Sequence, residues 1–227
     1  MSKTKGTVTI VHTSFVSVDD LTALFNELGP EFQVRHIVDD SLLPEVLANG
    51  GVTSGVVSRI CAYYKAAQEA GSDLVFNQCS SVGEAADIAA RMIHTPVIKV
   101  DKKMAMVACE TGQRIAVAAT LETTLGPTCR LLESTAQEMN KKLIIEPLLI
   151  EGAFDELISG NRSKHNEMVL NAIRGALDHV DAVVCAQGSM VAILPELGET
   201  KVPVLTSPRM GVAYAVEELR KIMHQQS

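Results

Sequence analysis

The chain has no Trp, only three Tyr and five Phe, and an acidic balance of 20 Lys+Arg against 27 Asp+Glu. A nucleic-acid binder needs a basic face and often stacking aromatics, so none is expected here. No run of about 18 apolar residues exists, which excludes a helical membrane span. The five Cys are an odd number with no C-x-x-C pair, against a disulfide framework or a zinc site and for a reducing compartment. The six His are scattered without an H-x-x-x-H pair or a His/carboxylate cluster, so no metal is expected. No G-x-G-x-x-G follows a strand and no G-x-x-x-x-G-K-[ST] loop is present, so no nucleotide cofactor is expected either. The polar opening at 1–6 does not read as a signal peptide, and a cytoplasmic protein is the expectation.

What is present is an ordinary globular composition, 47% hydrophobic and 21% charged, far from the signature of disorder. Short β-branched runs alternate with helical spacing. Strands are expected at Thr7–His12, Phe32–Val38, Asp73–Gln78, Pro96–Val100, Arg114–Ala119, Leu143–Ile150, Asp181–Ala186 and Val202–Thr206. Helices are expected at Val52–Ala70, where Val52, Val56, Val57, Ile60, Tyr63, Tyr64 and Ala67 share a face, and at His165–Val180. This alternation predicts an α/β fold with parallel sheets buried on both faces.

The chain also repeats itself. Asp73–Ala85 (DLVFNQCSSVGEA) resembles Asp181–Ile193 (DAVVCAQGSMVAI) at an offset of 108. Pro96 and Pro203 each lead a strand, and TVTIVHT ending at Thr13 matches IAVAAT ending at Thr120, both at an offset of 107. Two pseudo-symmetric lobes are expected, residues 1–100 and 101–207, with a last helix, Gly211–Met223, returning to the first. Ligands in open α/β sheets bind beyond the carboxyl ends of strands, so facing lobes would frame one interlobe cleft.

At the first lobe's third strand end stand Asn77-Gln78-Cys79-Ser80-Ser81. Ser81-x-x-Glu84 fits a capping box, which makes Ser81 the expected N-cap of the next helix. Cys79 then precedes a helix N-terminus, where partial positive charge favours a thiolate. The matching segment, Val184-Cys185-Ala186-Gln187-Gly188-Ser189, leaves two registers open. Without a gap Cys79 faces Gln187; shifted by two, it faces Cys185. Hydroxyls gather at the first strand end of each lobe: Thr13 and Ser14, then Thr120, Thr123 and Thr124. Cys61, Cys109 and Cys129 fall in helices and read as packing residues. The loops Asp39–Gly51 and Glu151–Asn166 carry no decodable motif.

These residues together resemble the aspartate/glutamate/hydantoin racemase superfamily over essentially the whole chain. The likeness rests on the duplicated lobes, a Cys at each central strand end, and A-T-x-x-T at Ala119–Thr123. Thr13-Ser14 is similar to the tail of the N-T-S segment of the hydantoin and allantoin branch, with His12 in place of Asn. The C-N-T and G-C-T-H segments of the aspartate/glutamate branch are replaced by Cys79-Ser80-Ser81 and Val184-Cys185-Ala186-Gln187. The resemblance implies cofactor-free proton transfer at a carbon next to a carboxyl or carbonyl group, on an amino acid or a hydantoin- or allantoin-like derivative. Cys79 and Cys185 would be the acid/base pair on opposite faces of that carbon. Thr13, Ser14, Ser80, Ser81, Thr120, Thr123, Gln187, Gly188 and Ser189 would bind the small carboxylate or amide. If Gln187 occupies the pocket instead of Cys185, one thiol remains and a decarboxylase or cis–trans isomerase becomes the reading. A non-catalytic small-molecule binder on the same fold is the third alternative. A homo-oligomer, dimer or higher, is the expected assembly.

Overall fold

The β-branched runs form eight short strands, and the residues between them coil into helices. The computed structural model describes residues 6–225; the polar opening at 1–5 lies outside them. The order of the first hundred residues is β1 (Thr7–His12), α1 (Val18–Leu28), β2 (Gln33–Val38), α2 (Leu42–Asn49), α3 (Ser54–Glu69), β3 (Leu74–Asn77), a 3-10 turn (Ser80–Val82), α4 (Gly83–Ala90) and β4 (Val97–Lys99). Then come α5 (Lys102–Thr111), β5 (Arg114–Ala119), α6 (Glu122–Glu138), β6 (Ile144–Leu149), α7 (Ala153–Ile158), α8 (Arg162–Ala176), β7 (Ala182–Cys185), a second 3-10 turn (Gly188–Ile193), α9 (Leu194–Leu197), β8 (Val204–Thr206) and α10 (Ser207–Gln225). The fold class is the expected one. Two all-parallel four-stranded sheets, ordered β2-β1-β3-β4 and β6-β5-β7-β8, are each flanked by helices.

The chain divides into two compact units, one running to Val100 and resuming at Pro208, the other spanning Asp101–Ser207. In the first unit, period-2 alternation sends Val8, Ile10, Leu74, Phe76 and Ile98 to one face of the sheet. There they meet Leu21 and Phe25 of α1 and Val212, Ala215, Val216 and Leu219 of α10. Phe25 and Phe76 pack edge to face, ring centroids 5.5 Å apart. Val11 and Val75 face the other way, against α2, α3 and α4. α10 lies so close to the end of β4 that a Cβ on Gly211 would overlap the Val100 carbonyl. Only glycine fits there.

In the second unit Ala116, Ala118, Val183 and Cys185 form the face covered by α8, through Val169, Leu170 and Ile173. Pro147, which cannot donate to a ladder, sits in β6 at the sheet edge. The repeat extends to single atoms. Asp73 Oδ2 accepts from the Thr7 N–H at 2.8 Å, and Asp181 Oδ2 accepts from the N–H groups of Gln113 and Arg114 at 2.7 and 2.8 Å.

Several local expectations need correction. Ser81 is not the N-cap of α4; it lies inside the 3-10 turn, and Cys79 is the extended residue that enters that turn. Helix α3 starts after Thr53, whose Oγ1 accepts from the Val56 N–H at 3.1 Å. The segments 39–51 and 151–166 are largely helical, as α2, α7 and the start of α8. Asp39 and Glu45 bind Arg59 of α3, and Tyr63 donates to Asp39 at 2.7 Å, which ties that segment to the fold. The last helix begins at Ser207, four residues before the expected start, because Pro208 suits a first helical turn.

Candidate functional site

Each unit presents a strand tip, and backbone bonding sets its register. In the first unit β1 pairs Val11 with Asn77, and the Gln78 N–H donates to the Val11 carbonyl at 3.1 Å. In the second, β5 pairs Ala118 with Cys185, and the Ala186 N–H donates to the Ala118 carbonyl at 2.9 Å. Val11 and Ala118 are themselves equivalent in the repeat. Asn77 therefore corresponds to Cys185, and Cys79 to Gln187. The turns after the two tips match as well: the Val82 N–H donates to the Cys79 carbonyl at 3.3 Å, and the Met190 N–H to the Gln187 carbonyl at 3.1 Å. Both tip residues are extended, at φ −119 and ψ 122 for Cys79 and φ −129 and ψ 138 for Gln187. The gapless register is the structural one.

Cys79 is half-buried, with its apolar side toward the layer that contains α3 and α4. Beneath it, buried Asn77 accepts from the Tyr64 hydroxyl at 3.1 Å and donates from Nδ2 to the Cys79 carbonyl at 2.9 Å. The tip is thus fixed through its backbone, while the thiol has no hydrogen-bond partner among the described residues. Ser80 and Ser81 are buried in the adjoining turn. Thr13 is buried and Ser14 half-exposed at the end of β1, and Phe15 and Val16 project into solvent beyond them.

Cys185 has a different environment. It is fully buried in the apolar layer of Ala116, Ala118, Met190 and Ile193. Desolvation there pushes its thiol up to about 12. Two residues on, Gln187 is half-buried, and its Oε1 accepts from the Thr120 N–H at 2.6 Å and the Thr120 hydroxyl at 3.0 Å. Of the expected site residues in this unit, Thr120 and Gln187 are joined directly. Thr123 lies in the first turn of α6 with a buried Oγ1 that has no partner among the described residues. Gly188 is exposed and Ser189 half-buried in the second 3-10 turn. Cys109 is buried in α5, and burial together with the Glu133 carboxylate pushes the Cys129 thiol up to about 11.

Composition gave no hint of two polar devices. One is the Tyr64–Asn77 pair, whose only signal is an Asn in an otherwise apolar strand. The other is a chain through fully buried His12, with Nδ1 3.2 Å from the Ser17 hydroxyl and Nε2 3.0 Å from His36 Nδ1. His36 Nε2 lies 3.2 Å from the Thr22 hydroxyl, which donates to the Val18 carbonyl at 2.6 Å. That carbonyl sets the direction of every bond in the chain. Thr22 must accept from His36 Nε2–H, so His36 Nδ1 accepts from His12 Nε2–H, and His12 Nδ1 accepts from Ser17. Burial, then His36, holds the His12 pKa down to about 4.

Among the described residues no group of three His, Cys, Asp or Glu is placed to hold a metal, and no helix is long and apolar enough to cross a membrane.

Duplicated parallel sheets with polar side chains at their central strand tips define a two-unit α/β protein. The model of the Asp/Glu/Hydantoin racemase family matches residues 10–215, and the chain belongs to that family. Solved structures agree in fold. A candidate Asp/Glu racemase from Yersinia pestis is 12% identical, with a TM-score of 0.74 over 95% of this chain and 99% of its own. The aspartate racemase of Picrophilus torridus is 14% identical, with a TM-score of 0.67 over 95% and 94%. The allantoin racemase of Klebsiella pneumoniae is 18% identical, with a TM-score of 0.67 over 96% and 88%. No curated protein matches the chain.

Proposed function

We propose that the chain is a cofactor-independent enzyme that moves a proton at a carbon next to a carboxyl or carbonyl group, with Cys79 as its one catalytic thiol. The observation that carries this reading is the register that equates Cys79 with Gln187 and sends Cys185 into the apolar layer. Inversion by two bases needs a second proton carrier. The Gln187 amide neither takes nor releases a proton near neutral pH. One thiol suffices for decarboxylation of a small 1,1-dicarboxylic acid. The C–C bond breaks, CO2 leaves, and the electron pair passes into the remaining carboxyl group as an enolate. The Cys79 S–H then protonates the carbon, and water returns a proton to the thiolate. One thiol equally serves isomerisation of a small unsaturated acid. Membership of a racemase family favours a second reading, racemisation of an amino acid or amide with Cys185 as partner.

Amino acids, hydantoins, allantoin and malonic acids incubated with the protein in deuterated water, followed by NMR, separate these readings. The expected product is a singly deuterated acid. Its formation should fall on the order of 10²-fold in Cys79→Ser and persist in Cys185→Ala. Racemisation that disappears in Cys185→Ala would establish the two-thiol reading. No turnover, with Cys79 alkylated no faster than Cys61 and Cys129, would leave a binding protein.

A further inference from the structure

We infer that Gln187 is an oxygen-binding residue, whose side-chain Nε2 donates to a carboxylate or carbonyl oxygen of a small ligand, and that Thr120 is the positioning residue that aims it. The inference rests on the reading above for its ligand class, though not for its geometry. The amide orientation follows from chemistry alone. The Thr120 backbone N–H, 2.6 Å away, can only donate, so the atom facing it is the amide oxygen; the flipped amide would set N–H against N–H. The Thr120 hydroxyl at 3.0 Å occupies the second lone pair of the same oxygen.

The amide has two N–H donors left, and among the described residues nothing accepts from them. Two donors on Oε1 polarise the amide and strengthen what Nε2 can give. The clamp is rigid as well. Thr120 is 5% exposed and directly follows β5, whose last carbonyl, on Ala119, accepts from the Ile150 N–H at 2.8 Å. A Gln side chain normally loses rotamer freedom on binding a ligand; here Thr120 has already removed much of it. A fixed donor that cannot ionise selects an acceptor. The group bound there is a carboxylate or carbonyl oxygen, and an ammonium is rejected.

The test uses the full chain labelled with 15N and titrated with sodium malonate, acetamide and methylammonium chloride, with potassium chloride as the ionic control. The side-chain N–H pair of Gln187 is assigned by its loss in Gln187→Glu. Malonate should shift that pair saturably, acetamide should shift it the same way, and methylammonium should leave it where potassium chloride does. Gln187→Glu should weaken malonate binding by about tenfold or more, the scale of one charge-assisted hydrogen bond. Thr120→Val keeps the backbone donor and loses the hydroxyl. It should weaken malonate less and raise the mobility of the Gln187 pair in heteronuclear relaxation, a change that a merely structural threonine would not produce. A Gln187 pair that stays still for both oxygen probes, or malonate affinity unchanged in Gln187→Glu, overturns the inference. Should Gln187→Glu fail to fold, Gln187→Ala supplies the assignment, and the wild-type shifts and Thr120→Val decide. Cys79→Ser should bind malonate as the wild type does, so loss of turnover in that variant bears on the proposed reaction and not on Gln187.

Discussion

Acid should loosen this protein through His12, and the hydrogen-bond chain says by how much. His12 is fully buried, and its two ring nitrogens are committed to Ser17 and His36 in the neutral form. Desolvation first, and the neighbouring His36 second, lower its pKa from 6.5 to about 4. The unfolded chain therefore takes up this proton below pH 6.5, and the folded chain not until about 4. Stability is full above the unfolded value, falls as the pH drops through this window, and levels off below the folded value. At about 1.4 kcal/mol per pKa unit, the full loss is about 3.5 kcal/mol, most of it between pH 6.5 and 4.5. His36, also lowered by desolvation against the opposing pull of Asp19, adds in the same direction. Urea unfolding at pH 7.5 and at pH 4.5 measures the loss, and His12→Asn isolates it, because every other titrating group is common to both chains. The variant should be less stable at pH 7.5 yet lose about 2 kcal/mol less between the two conditions. Parallel losses in wild type and variant would refute the reasoning, as would a His12 ring that titrates near its ordinary value by NMR.

Gly211→Ala should destabilise by about 1–3 kcal/mol, because the added methyl would have to displace α10 from the Val100 carbonyl; an unchanged urea midpoint would contradict the close approach. Tyr64→Phe removes the hydroxyl that donates to Asn77 and should cost about 1–2 kcal/mol, together with faster amide exchange around Cys79. Loss of stability without any change in exchange at Cys79 would detach that pair from the strand tip.

Much of the fold was legible because burial on both faces of a parallel sheet leaves few ways to read TVTIVH or DAVVCA. The gapless register was not. Cys185 and Gln187 stand two residues apart, and strand period 2 puts such positions on the same face, so side-chain pattern cannot choose between them. The choice is made by the Ala118 carbonyl, which accepts from Ala186, an interaction between residues 68 apart that leaves no mark in composition. The same holds for Thr120 and Gln187, read separately as strand-mouth groups and joined only once β5 and β7 pair. Ser81 illustrates the opposite failure. Its capping-box spacing is genuine, but the chain inserts a 3-10 turn first and moves the start of α4 to Gly83. His12 and His36 lie on neighbouring strands 24 residues apart, and nothing in either strand's pattern announces a hydrogen-bonded pair.

The two units agree in their sheets and differ at their strand tips. The aspartate clip recurs as Asp73 and Asp181, and the edge strands β2 and β6 show the same sequence of exposed and half-buried positions. At the tips each unit uses one amide, but at different levels. In the first unit the amide is Asn77, below the tip, satisfied by Tyr64 and holding the Cys79 carbonyl. That arrangement fixes the tip through the Cys79 carbonyl and makes no use of the thiol. In the second unit the level below the tip is the apolar Cys185, and the amide is the tip itself, held by Thr120. That arrangement commits the oxygen of the Gln187 amide to the protein and leaves its N–H donors without an acceptor among the described residues. A thiol can carry a proton and a clamped amide can only hold an oxygen. The repeat, symmetric in its sheets, is thus asymmetric in the chemistry its tips offer, the asymmetry that the proposed one-thiol reaction calls for.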